Sequence, residues 1–181
     1  FFVMCSCTTF VALSIVVLAC ILLNQGNTSI KRMPKEFLFE GTQVQLSSGE
    51  TRYRIYGEEN FSSPKGLLVC IHGFSTPSYI VWNTFALKAE KEGYVVLTYD
   101  LYGRGGSEAP YLPNTPSLFS SQLFELLNNL YELNEIPSNI HTTVIGLSMG
   151  GAIATHFTST FPLYVDSLFL LAPAGLGAPI P

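Results

Sequence analysis

Gly146-Leu147-Ser148-Met149-Gly150-Gly151 is the stretch that marks the fold of this chain. It follows the apolar run Thr142-Thr143-Val144-Ile145 and precedes Ala152, Ile153, Thr155, His156 and Phe157, which fit a helix. A serine at so tight a strand-to-helix turn projects its hydroxyl above the sheet edge. Glycines two before it and two after it let strand and helix approach without Cβ clashes. The N-terminus of the helix lies beneath, where it favours developing negative charge.

Other strands surround this turn. Gly66-Leu67-Leu68-Val69-Cys70-Ile71, Tyr94-Val95-Val96-Leu97-Thr98-Tyr99 and Ser167-Leu168-Phe169-Leu170-Leu171 are short, continuous apolar runs. Such runs imply burial on both faces, hence parallel strands sandwiched by helices. Gln43-Val44-Gln45-Leu46 and Arg52-Tyr53-Arg54-Ile55-Tyr56 alternate instead, with Ser47-Ser48-Gly49-Glu50 as a turn. That pattern predicts an antiparallel hairpin with one wet face.

Helical signals fill the gaps. Ser78 is placed to cap a helix running to about Glu92, with Gly93 as its stop. Thr115-Pro116 sets a cap residue before proline at the first helical position. Leu118, Phe119, Leu123, Leu126, Leu127 and Leu130 then recur at helical spacing. The predicted order is hairpin, strand, helix, strand, helix, strand, helix, strand: an open α/β sheet, mostly parallel, with helices on both faces and an antiparallel start.

Two more motifs bear on chemistry. His72-Gly73-Phe74 directly follows the first buried strand. In acyl-transfer hydrolases this loop supplies one oxyanion-hole N–H, and the residue after the nucleophile supplies the other. The expected donors are the backbone amides of Phe74 and Met149, with His72, Gly73, Gly146 and Gly150 supporting loop and elbow. Asp100-Leu101-Tyr102-Gly103-Arg104-Gly105-Gly106-Ser107 follows the strand ending at Tyr99. It has no P-loop lysine and opens no G-x-G-x-x-G helix, so it reads as a structured loop beside the site.

Taken together and in this order, the three motifs resemble the α/β-hydrolase superfamily over roughly residues 42–174. The Asp100–Ser107 loop and Leu171-Ala172-Pro173-Ala174-Gly175 look most like its serine-hydrolase members, among them monoacylglycerol-lipase-like and proline-iminopeptidase-like proteins. Serine at position 148 instead of aspartate sets the chain apart from the epoxide-hydrolase and dehalogenase branches. The single glycine after His72 is unlike the His-Gly-Gly-Gly esterases.

The resemblance implies that Ser148 attacks the carbonyl of an ester, thioester or amide, foremost a lipid ester, through an acyl-enzyme. It also implies a histidine base and an acid downstream, in the order Ser, Asp/Glu, His. Only 33 residues follow Ser148, and His156 is the only histidine among them. His156 lies eight residues along the same helix, about 12 Å of rise away, and cannot reach the hydroxyl at roughly 3 Å. His141 at a strand start, His72 in the oxyanion loop and Asp166 before a strand are equally misplaced. The expectation is therefore the front part of a serine hydrolase, inactive by itself, with the C-terminal part of the fold missing. The alternative from another class is a non-catalytic binding module anchored to a membrane.

Composition narrows the partners. The net charge is −4, charged residues are 12%, and mean hydropathy is +0.33. An acidic balance argues against nucleic acid, and the low charge rules out a disordered chain. No charge precedes Lys31, and residues 1–23 are almost wholly apolar, long enough for a membrane-spanning helix or signal anchor. A cleaved signal peptide is the other reading. The predicted division is thus an anchor over 1–23 placing the protein in a membrane, a linker over 24–36, and an α/β-hydrolase portion over 37–181.

Lys31, Arg32 and Lys35 favour a cytoplasmic domain, whereas the sequons at Asn27 and Asn60 favour a lumenal one. Cys5, Cys7 and Cys20 lie in the apolar segment, and Cys70 reads as a small core residue. No Cys/His spacing suits a metal, and acyl transfer of this kind needs no cofactor. The expected partner is a small-molecule or lipid acyl substrate. Phe74, Tyr79, Trp82, Tyr102 and Tyr111 serve either as an apolar approach to the site or as packing residues.

Overall fold

The computed structural model describes residues 41–175. The sheet has six strands in the order β1-β2-β4-β3-β5-β6: β1 Thr42–Leu46, β2 Gly49–Tyr56, β3 Leu67–Ile71, β4 Val95–Tyr99, β5 Thr142–Leu147 and β6 Ser167–Leu171. Helix α1 spans Ser78–Lys91, α2 Pro116–Glu132 and α3 Met149–Thr160. The linear order of elements is the one the hydropathy pattern predicts.

The mostly parallel sheet expected from sequence is a mixed one. β3 pairs in parallel with β4 and β5, and β5 with β6, while β1–β2 and β2–β4 are antiparallel. The second antiparallel ladder arises because the hairpin docks its second strand along β4, with Tyr53 opposite Tyr99 and Tyr56 opposite Val96. The hairpin turn is also tighter than predicted. Leu46 pairs with Gly49, so only Ser47 and Ser48 lie between the strands.

Alternation along the strands divides the core in two. Val69, Leu97 and Val144 face one side and pack with Leu123, Leu126, Leu127, Ile153 and Phe157 of α2 and α3. Cys70, Val96 and Ile145 face the other and pack with Trp82, Ala86 and Ala89 of α1. Successive side chains point to opposite faces of a strand, so one apolar run feeds both layers. β6 departs from this pattern: Phe169 is 61% exposed, and no further strand pairs with β6 among the described residues.

Helix starts follow two different rules. The Thr115 hydroxyl accepts from the Leu118 N–H at 3.2 Å, with Pro116 in the first turn, as the sequence predicts. Ser78, by contrast, is not a cap. Pro77 holds that position, and the Ser78 N–H donates to Asp100 Oδ1 at 2.8 Å. A buried carboxylate from the neighbouring loop satisfies the first turn of α1 in place of a hydroxyl.

The expected membrane-spanning helix is corrected. Among the described residues no helix is long and apolar enough to cross a membrane. The longest, α2, has 17 residues, a rise of about 26 Å against the ~30 Å of a bilayer core. Residues 1–23 and 24–36, to which the anchor and linker were assigned, lie outside the described residues, as does the start of the domain expected at 37. The single-pass membrane placement and the membrane partner that followed from it are withdrawn.

Candidate active site

The elbow is built by a backbone conformation that few residues tolerate. Ser148 stands between β5 and α3 with φ 53° and ψ −117°. Its N–H donates to the Leu171 carbonyl at 2.9 Å, and its carbonyl accepts from Gly151 and Ala174 at 2.9 Å each. Three bonds, one to the end of β6 and one to the segment just after it, hold the strained residue in place. Ser148 is exposed.

The flanking glycines are needed for close approach. A Cβ on Gly146 would fall 2.4 Å from the Gly150 carbonyl oxygen, and one on Gly150 would fall 2.4 Å from the Ile71 oxygen and 2.5 Å from the His72 oxygen. Those gaps are far inside van der Waals contact, and each obstacle is backbone. The turn of α3 therefore rests directly on the loop after β3. A Cβ on Gly73 would lie 3.5 Å from Ser148 Cβ, so the His72-Gly73-Phe74 loop borders the serine.

His72 is fully buried and shapes that loop. The Leu101 N–H donates to its Nε2 at 2.9 Å, which leaves the ring proton on Nδ1, donating to the Gly73 carbonyl at 2.7 Å. Burial lowers the His72 pKa below its ordinary value of 6.5, and the Asp100 carboxylate only partly offsets this. The neutral ring holds the carbonyl of the 73–74 peptide. Because the peptide is planar and trans, its N–H, that of Phe74, is turned the opposite way. Neither the Phe74 N–H nor the Met149 N–H meets an acceptor among the described residues.

The Asp100–Ser107 loop braces the same region. Asp100 accepts from the N–H groups of Ser78 and Gly106 at 2.8 and 2.9 Å. Its carbonyl takes the Ser107 hydroxyl and the Gln122 amide. Arg104 Nε donates to the Phe74 carbonyl at 3.2 Å and Nη1 to the Tyr102 carbonyl at 2.7 Å, with its guanidinium over the rings of Phe74 and Phe119. The sequence marks Asp100 and Arg104 as structural hydrogen-bonding residues, but the tie from Arg104 to the His72-Gly73-Phe74 loop joins residues 30 apart and is not legible from spacing.

None of the three histidines faces Ser148. His156 Nδ1 pairs with the Ser120 hydroxyl of α2 at 2.9 Å. His141 Nε2 pairs with the Ser167 hydroxyl at 2.9 Å, and its Nδ1 lies 4.0 Å from Asp166 Oδ2. Those groups sit at the starts of β5 and β6, the edge opposite to the elbow. His141 and Asp166 line a cavity of about 670 Å³ to which Ser148 does not contribute. Among the aromatic residues singled out, Trp82 and Tyr102 are buried packing residues, while Phe74 and Tyr111 are exposed.

Known proteins share this architecture. The family model described as alpha/beta hydrolase fold matches residues 66–180, well over half of the chain. Lipase 3 of Moraxella sp. (strain TA144) is 32% identical over 137 residues, covering 75% of this chain and 40% of the lipase. Lipase 1 of Psychrobacter immobilis is 34% identical over 132 residues, covering 73% of this chain and 38% of that protein. The human (lyso)-N-acylphosphatidylethanolamine lipase is 31% identical over 119 residues, 65% of this chain and 32% of the enzyme. The chain thus spans about two fifths or less of the length of these relatives. Among solved structures, an esterase from Exiguobacterium antarcticum superposes with a TM-score of 0.63 at 23% identity, over 75% of this chain and 46% of the esterase. With the strained serine elbow, the bordering His-Gly loop and a family match across both, the chain belongs to the α/β-hydrolase fold family.

Proposed function

We propose that this chain carries the nucleophile and the oxyanion hole of a serine hydrolase acting on carboxylic esters, lipid esters foremost. Ser148 Oγ attacks the acyl carbonyl, and the developing oxyanion is received by the N–H groups of Phe74 and Met149. The alcohol leaves, and water later releases the acyl group from Ser148. The observation that carries the reading is the exposed Ser148 at φ 53°, ψ −117°, bordered by Gly73. The similarity to two bacterial lipases and a phospholipid-directed lipase supports the ester class.

The reaction also needs a base for the serine proton. His72 is spent on Gly73 and Leu101, His156 on Ser120, and His141 lies at the far edge. The base and its acid are therefore assigned outside the described residues, and this chain by itself acylates slowly.

An alkyl fluorophosphonate tests the assignment. Attack by Ser148 Oγ on phosphorus expels fluoride, and the serine proton passes to a base supplied as imidazole. Peptide mass spectrometry should find the adduct on Ser148, its formation accelerated by imidazole and abolished in Ser148→Ala. An unmodified Ser148 at high imidazole, or equal labelling of several serines, overturns the proposal.

A further inference from the structure

Beside the oxyanion loop lies a second cavity, of about 370 Å³, lined by Phe74, Tyr102, Gly103, Arg104, Ala109, Pro110 and Asn114. Arg104 is the only charged residue in this lining. Two of its N–H groups go to carbonyls, and it lies over two phenyl rings, so its partners among the described residues are all uncharged. The carboxylates nearest in sequence are engaged elsewhere. Asp100 binds the N–H groups of Ser78 and Gly106, and Glu108 binds that of Glu50.

A half-buried guanidinium without an anion loses hydration and gains no countercharge. Here burial lowers the Arg104 pKa, the direction expected for a cation that is desolvated and not compensated. The guanidinium is also held in place: Nε and Nη1 are tied to the Phe74 and Tyr102 carbonyls, and its Cζ lies 5.2 and 5.3 Å from the ring centres of Phe74 and Phe119. Three of its five N–H groups are left for a ligand in a fixed fork, the arrangement that suits planar or tetrahedral oxyanions. The apolar remainder of the wall, Phe74, Ala109 and Pro110, suits a hydrocarbon chain attached to such a group.

We propose that this cavity binds an anionic group, carboxylate or phosphate monoester, through Arg104, and that the substrate is an ester bearing such a group close to its acyl carbon. The proposal rests on the assignment of Ser148 and Phe74 for its catalytic meaning, but the binding itself does not require Ser148 to react. A substrate seated this way would lie with its charge on Arg104 and its carbonyl near the Phe74 N–H, one residue from the glycine that borders Ser148. The protein's net charge of −4 makes diffuse attraction of anions weak, so binding would report this one site.

The test is titration of the full chain with hexyl phosphate, hexanoate and hexanol, followed by calorimetry and backbone NMR. Hexyl phosphate or hexanoate should bind more tightly than hexanol and shift the amides of Gly103, Arg104, Ala109 and Asn114. The ratio of the two anions tells phosphate from carboxylate. Arg104→Gln should weaken anion binding about tenfold or more, the loss of one charge-assisted contact, and leave hexanol unchanged. Lys88→Gln, an exposed site on α1, should change neither.

Equal binding of anion and alcohol, shifts confined to other residues, or retained anion affinity in Arg104→Gln would each overturn the proposal. Should Arg104→Gln unfold, Arg104→Lys and the wild-type shift map decide it. Fluorophosphonate labelling of Ser148 is read separately, so a failed nucleophile and a failed anion site give different results.

Discussion

Gly150 rests against His72 so closely that a Cβ at position 150 would stand 2.5 Å from the His72 carbonyl oxygen. The serine turn and the His-Gly loop are thus one packed unit, although 77 residues of chain separate Gly73 from Gly150. Neither backbone can yield, since β3 and β5 are hydrogen-bonded neighbours over five residue pairs.

Gly150→Ala should therefore destabilise the fold by about 1–3 kcal/mol, the usual cost of overpacking. Urea unfolding followed by circular dichroism measures it. A change below a few tenths of a kcal/mol would show that the loop after β3 can retreat.

Ser148 carries backbone strain that glycine would not. Ser148→Gly should be more stable than Ser148→Ala by about 1 kcal/mol, because only glycine enters this region of φ and ψ without a Cβ penalty. Both variants lose the hydroxyl, so their difference isolates the strain. Equal unfolding midpoints would sink the idea.

His72 gives the fold a pH dependence of definite sign. Its folded pKa lies below the unfolded value of about 6.5. Stability from the neutral ring is thus fully present above pH 6.5. It falls as the pH drops towards the folded value, because the unfolded chain takes up a proton that the native ring refuses. The slope in that window approaches about 1.4 kcal/mol per pH unit. Subtracting the profile of His72→Gln should remove it; identical profiles would mean that His72 does not titrate between the two states. The charges facing His72 are Asp100, which favours protonation, and Arg104, which opposes it.

Strand β6 presents Phe169 at 61% exposure, with Leu171 also exposed. An apolar strand of this kind, paired on one side only among the described residues, is a template for self-association. Phe169→Lys should lower light scattering at high protein concentration and leave the unfolding midpoint within about 0.5 kcal/mol, as for other exposed sites. Unchanged scattering would place the association elsewhere.

Much of this molecule was legible in one dimension. Strand runs of apolar residues, the Thr115-Pro116 cap and the Gly-x-Ser-x-Gly turn report interactions among residues a few positions apart, where spacing fixes geometry. The same short-range logic sets His156 apart from Ser148, since eight residues of one helix fix their separation. What spacing could not reach was every pairing across the sheet. That β2 lies antiparallel along β4, that Asp100 and not a hydroxyl satisfies the start of α1, and that Arg104 spans back to Phe74 all depend on docking of distant segments. Those contacts are selected by the packing of a whole core, in which a residue's partner is decided by burial and hydrogen-bond satisfaction and not by its neighbours in sequence.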